Sequence, residues 1–145
     1  MNMEDNFWLF MADDDMEDQQ LFAEAVWESH PEVKIKFFNS GMDLLEYLKS
    51  DSQKPNVIFL DLHMRKMNGE ETLKQLRAQS DLDEVPIVLY SGVYNLDYIS
   101  SLFRLGANRY LHKPSEFEIL VTALERTICS IKSNNLWGTS IINYV

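Results

Sequence analysis

A chain of 145 residues has room for one domain with a single buried core, and its formal charge of −10, with no basic stripe to offset it, excludes direct binding to a nucleic acid backbone. No run approaches the ~18 apolar residues of a membrane span, and residues 1–5 lack the basic and apolar segments of a secretory leader, so the expectation is a cytoplasmic protein without membrane attachment. The single cysteine, Cys129, excludes an internal disulfide and lies in a helical pattern, where a buried or half-buried thiol is expected.

Residues 7–12 form an apolar run of strand length that stops at Asp13, Asp14 and Asp15, the pattern of a strand buried on both faces. From Met16 to about Ser29, Leu21, Phe22, Ala25 and Val26 recur at helical spacing and leave Glu17, Asp18 and Glu24 for solvent. Pro31 breaks the pattern, residues 33–38 alternate like a strand, and Leu44, Leu45 and Leu48 give a short helix one apolar face. Residues 57–60 are a second fully apolar strand, ending at Asp61, and a turn region through Gly69 leads to a helix carrying Leu73 and Leu76. Residues 87–90 end at Ser91 and Gly92; Ile99, Leu102 and Phe103 predict a helix that Gly106 closes as a left-handed cap. A last short strand, residues 109–112, meets Lys113 and Pro114. An amphipathic stripe follows through Phe117, Leu120, Val121, Leu124, Ile128 and Ile131.

Strands alternating with helices five times over predict an α/β fold, a doubly wound five-stranded parallel sheet with helices on both faces. Ligands bind such sheets outside the carboxyl ends of the strands, where Asp13, Asp14, Asp61, Ser91 and Lys113 all stand. Carboxylates converging there repel one another unless a cation intervenes, and Mg2+ suits one or two carboxylates supplemented by water and phosphate oxygens. With the Lys113 ammonium and the Ser91 hydroxyl added, the set has what a carboxylate nucleophile needs in order to accept a phosphoryl group. Taken singly, each feature has a plainer reading: the aspartates as a helix cap, Lys113-Pro114 as a surface turn, Ser91-Gly92 as a loop. Their joint placement at strand ends favours the chemical one.

The segments Met11-Ala12-Asp13-Asp14-Asp15, residues 59–64, Met67-Asn68-Gly69, residues 89–92 and residues 106–114 resemble the signature of the receiver domain of two-component response regulators, over about residues 7–131. The resemblance implies that Asp61 is the phosphoacceptor and that Asp13, Asp14 and Asp61, with the backbone carbonyl of His63, hold Mg2+, Asp14 being the more direct ligand of the acidic pair. It implies further that Ser91 hydrogen-bonds the phosphoryl group, that Lys113 pairs with it, that Ser91 and Tyr110 form the switch, and that the Lys113–Pro114 peptide is cis. Gly69 fits the family's tight turn, where a positive φ favours glycine. Two departures stand out. Arg65 replaces a usual proline and loosens the loop, and Ser91 replaces the commoner threonine but keeps the hydroxyl.

By the same resemblance the partners are a histidine kinase or phosphotransfer protein and an unknown downstream protein. Residues 1–133 make up the receiver domain and residues 134–145 a short tail, too short for an output domain. Leu136, Trp137, Ile141, Ile142 and Tyr144 make that tail apolar, which suits either packing back on the domain or a homodimer. The side chain of His63 is expected to be exposed, and His30 and His112 to lie at the surface. Two competing functions are a haloacid-dehalogenase-like phosphotransferase, which wants an aspartate where His63 stands, and a pseudo-receiver that binds partners without accepting phosphate.

Overall fold

The protein was analysed as a computed structural model that describes residues 6–50 and 53–133, and the backbone of 140–142. The elements run β1 (Trp8–Ala12), α1 (Met16–Ser29), β2 (Lys34–Phe38), α2 (Gly41–Lys49), β3 (Val57–Asp61), α3 (Gly69–Arg77), β4 (Ile87–Ser91), α4 (Leu96–Arg104), β5 (Arg109–His112), α5 (Phe117–Lys132) and β6 (Ser140–Ile142). The expected five parallel strands are present in the order β2-β1-β3-β4-β5. The short β6 extends the sheet to six, pairing parallel with β5 so that Tyr110 faces Ile141. Leu136, Trp137 and Tyr144 lie outside the described residues. For residues 140–142 the backbone pairs with the chain's own domain.

The apolar runs read as strands are buried because both faces of the sheet are covered. One core cluster joins Leu9, Met11, Phe59 and Val88 to Phe22 and Val26 of α1 and to Val121, Leu124 and Ile128 of α5. The other joins Phe10, Ile58, Leu60 and Leu89 to Leu44 of α2, Leu73 of α3 and Ile99 of α4. After β1 the chain goes to one edge for β2, then returns past β1 to lay down β3. The strand order therefore reverses between β1 and β3, whose carboxyl ends carry Asp13, Asp14 and Asp61.

Side-chain oxygens start the helices where the sequence changes character: Asp15 caps α1, Ser40 caps α2, Asn68 caps α3 and Asn95 caps α4, each accepting from a backbone N–H of the first turn. Gly106 ends α4 region packing with φ 112°, the left-handed conformation that its sequence position predicts. Arg77, at the end of α3, ties this corner together. Its guanidinium donates to the carbonyls of Gly106 (2.8 Å), Leu82 (2.7 Å) and Val85 (2.9 Å) and to Asn108 Oδ1 (2.9 Å).

Several single-residue expectations are corrected. Leu21 is 48% exposed, because Phe22, Ala23, Ala25 and Val26 already fill the arc of α1 that faces the sheet. Cys129 is exposed on the last turns of α5, and His30 is buried beneath it with Nδ1 3.0 Å from Ser29 Oγ and Nε2 3.6 Å from Cys129 Sγ. His112 is half-buried, its Nε2 3.0 Å from the Gly92 carbonyl.

Candidate functional site

Three carboxylates meet at the reversal point. Asp13 is fully buried, Asp61 is 4% exposed and Asp14 is intermediate, and one oxygen from each lies within 4.8 Å of the others. The backbone orients them individually. Asp13 Oδ1 accepts from Asp15 N at 2.9 Å, Asp61 Oδ1 from His63 N at 3.1 Å, and Asp14 Oδ2 from Arg65 N at 3.0 Å. The aspartate run thus divides its labour, Asp15 serving as the helix cap while Asp13 and Asp14 face the pocket.

Asp13 Oδ2 is a buried oxygen with no hydrogen-bond donor. Burial, reinforced by the charges of Asp61 and Asp18 and only partly offset by the Asp15 amide and Lys113, pushes the Asp13 carboxyl up to about 7. A buried carboxyl oxygen without a donor, beside two more carboxylates, is what a divalent cation would satisfy, so the cluster fits a divalent metal site.

Lys113 supplies the one ammonium seen at this cluster among the described residues. Its Nζ is 3.6 Å from Asp61 Oδ2 and 3.8 Å from Asp13 Oδ2, but only 2.9 Å from Asp18 Oδ2, and it lies 4.9 Å from the centre of the Tyr90 ring. Burial opposes its charge, yet the hydrogen bond to Asp18 and the charges of Asp61 and Asp13 outweigh that and hold its pKa above the ordinary lysine value. The sequence pattern assigns Asp18 to solvent and gives Tyr90 no role beyond the end of a strand. The available signal was position: a carboxylate in the first turn of a helix that starts at a strand's carboxyl end lies within reach of the pocket.

Ser91 is fully buried at the end of β4, one residue beyond the point where Tyr90 pairs with Asp61. Its Oγ accepts from Val93 N at 3.2 Å, within its own loop. Tyr110 is fully buried in the core beneath that loop, and its hydroxyl donates to the Val93 carbonyl. The ring is thus inside the fold in this structure. The His63 imidazole is exposed, as its sequence context predicts.

Two backbone expectations fail. The Lys113–Pro114 peptide is trans, the lower-energy isomer for an X–Pro bond. Gly69 is the first residue of α3 and has no positive φ; its lack of a side chain matters because a Cβ there would lie 2.5 Å from the Asp61 carbonyl oxygen and 2.7 Å from Leu62 Cα. The positive φ in this loop falls instead on Lys66, at 67°, just after Arg65 at the position where proline was expected.

Residues 9–125 match the response regulator receiver domain family. The chain is 26% identical over 110 residues to response regulator Rcp1 of Synechocystis sp., covering 72% of this chain and 75% of that protein. It is 30% identical over 123 residues to the two-component response regulator ARR17 of Arabidopsis thaliana, covering 78% and 79%. Among solved structures, the phosphorylated cyanobacterial phytochrome response regulator RcpA superposes with a TM-score of 0.81 at 25% identity, over 89% of this chain and 96% of that one. The manganese-bound form of Rcp1 gives 0.75 at 24% identity over 91% and 96%, a likeness of fold. A family match across most of the chain, a parallel sheet with the same fold and a carboxylate cluster at its reversal point agree with one another, and the chain belongs to the response regulator receiver domain family, whose members are phosphoacceptor signalling domains.

Proposed function

We propose that this receiver domain, residues 1–133, accepts a phosphoryl group on Asp61 from a histidine kinase or phosphotransfer protein in a Mg2+-dependent reaction, and that the modified domain changes its binding to a downstream protein. The observation that carries this reading is the set of contacts around Asp61: a nearly buried carboxylate with an ammonium 3.6 Å away, bordering a buried Asp13 oxygen that lacks a donor.

In the transfer, a carboxylate oxygen of Asp61 forms the new P–O bond while the P–N bond of the donor phosphohistidine breaks and its electron pair stays on the imidazole. Asp13, Asp14 and Asp61, with the His63 carbonyl, would hold magnesium, which would supply charge neutralisation for the phosphoryl oxygens. Lys113 balances part of the added charge next to Asp61 Oδ2, and the His63 N–H keeps the acceptor carboxylate oriented. Ser91 gives up its bond from Val93 N and turns its hydroxyl to a phosphoryl oxygen. An aspartate two residues beyond the nucleophile, which a haloacid dehalogenase needs, is replaced by His63, whose side chain points to solvent.

The test is incubation with phosphoramidate and magnesium followed by mass spectrometry. A single base-labile phosphate on Asp61 is expected, lost with chelator and absent in Asp61→Asn. A phosphate on another residue, with none on Asp61, overturns the assignment.

A further inference from the structure

The cation assigned to the phosphoryl group sits closest to a carboxylate other than Asp61 in this structure. Lys113 Nζ is closest to Asp18 Oδ2, at 2.9 Å, and stands farther from Asp61 and Asp13, at 3.6 and 3.8 Å. The contact is tertiary. Asp18 sits in the first turn of α1, where the Asp15 side chain accepts its backbone N–H at 3.2 Å, and Lys113 directly follows β5, 95 residues further along the chain. The Tyr90 ring, 4.9 Å from Nζ, gives the ammonium a second resting surface.

We propose that Asp18 is a positioning residue for phosphorylation of Asp61: it holds the Lys113 ammonium in the unmodified protein and must surrender it to the phosphoryl group. The inference rests on the reading of Asp61 as phosphoacceptor. One cation then serves two anions in turn. While Asp18 keeps it, the pocket carries a fourth carboxylate that competes with any incoming phosphoryl group for the same ammonium. Every phosphoryl-bound state is weakened by the free energy of the Asp18–Lys113 pair. Asp18→Asn keeps the size and shape of the side chain but cannot hold the cation by charge, so it releases Lys113 toward Asp61.

The experiment measures beryllofluoride affinity by fluorine NMR at saturating magnesium, in the full chain. Asp18→Asn should tighten binding about five-fold, the upper range for a partly exposed ion pair. Asp18→Glu, which retains the carboxylate, should keep the wild-type affinity. Asp15→Asn makes the same change in net charge next to the pocket without touching Lys113 and should leave affinity unchanged. A second readout needs neither metal nor phosphoryl analogue. In thermal unfolding of the metal-free protein, Asp18→Asn should shift the midpoint more favourably in a Lys113→Met background than in the wild type, because without the ammonium Asp18 only repels its neighbours. Equal tightening by Asp18→Asn and Asp15→Asn, or identical midpoint shifts in the two backgrounds, overturns the role of Asp18 while leaving the acceptor assignment standing. Failure of the wild-type protein to bind beryllofluoride at all overturns both.

Discussion

Asp13 bears the electrostatic cost of the pocket, and its sign can be followed through pH. Its carboxyl is pushed from the ordinary 3.8 up to about 7, chiefly by burial, so the folded protein binds that proton more tightly than the unfolded chain does. The stability due to a neutral Asp13 is complete below pH 3.8 and is lost as pH rises through about 7. The metal-free protein should therefore lose unfolding midpoint between pH 5 and 7.5 through this group, and Asp13→Asn should flatten that decline and raise the midpoint at pH 7.5. Magnesium should stabilise the wild type more at pH 7.5 than at pH 5, a difference that calorimetry with and without the ion would measure. At the same scale, Gly69→Ala would drive a methyl against the Asp61 carbonyl and should cost roughly 1–3 kcal/mol while slowing phosphorylation. The sequence disclosed Asp13, Asp14, Asp61 and Lys113 because each stands where an apolar strand stops. It did not disclose Asp18, whose helical position matches that of any solvent-facing acid, and it gave Gly69 the wrong reason, since close approach leaves no signature distinct from a turn.

Elements whose burial is written into their composition were legible. The apolar runs of β1, β3 and β4 are found where the sequence places them, as is the stripe of α5 from Leu120 to Ile131, whereas Phe117 at its start is exposed, and Gly106 caps as its position requires. What escaped notice depends on contacts between elements. β6 is three residues long, too short for a period, and exists through pairing with β5. Arg77 resembles a routine cation in the last turn of a helix, yet it joins α3 to the carbonyls at Gly106, Leu82 and Val85 and to Asn108, which in turn accepts from Ile87 N at 2.9 Å. Replacing it with methionine keeps an apolar stem but removes the hydrogen bonds that three carbonyls and Asn108 Oδ1 accept from it, so Arg77→Met should lower unfolding free energy by roughly 2–4 kcal/mol in urea. Arg77→Lys should recover little, because a single ammonium cannot reach four acceptors spread around a planar fork.

Across the whole molecule, the hydrogen bonds suggest how an event at Asp61 is felt at the far edge of the sheet. Ser91 Oγ accepts from Val93 N, the Val93 carbonyl accepts from the Tyr110 hydroxyl, and Tyr110 lies in β5, paired with β6. A phosphoryl group shifts the balance of two conformations only if it interacts differently with each, and the Ser91 hydroxyl is the donor placed to do so. Once it turns from Val93 N to a phosphoryl oxygen, the loop loses that anchor, and the Tyr110 hydroxyl on the Val93 carbonyl should adjust with it. Because Tyr110 is buried, the altered surface is expected to be the loop at Val93 and Tyr94, helix α4 and the β5–β6 edge. Beryllofluoride with magnesium should therefore change amide shifts across residues 93–112 and in residues 140–142 as well as around Asp61. Ser91→Ala should confine those changes to the pocket, and Tyr110→Phe, which removes only the hydroxyl, should preserve the response in α4 while abolishing it in β6. Shifts limited to the loops around Asp61 in the wild type would show that the hydrogen-bond chain is static and that Tyr110 serves only as filling for the core.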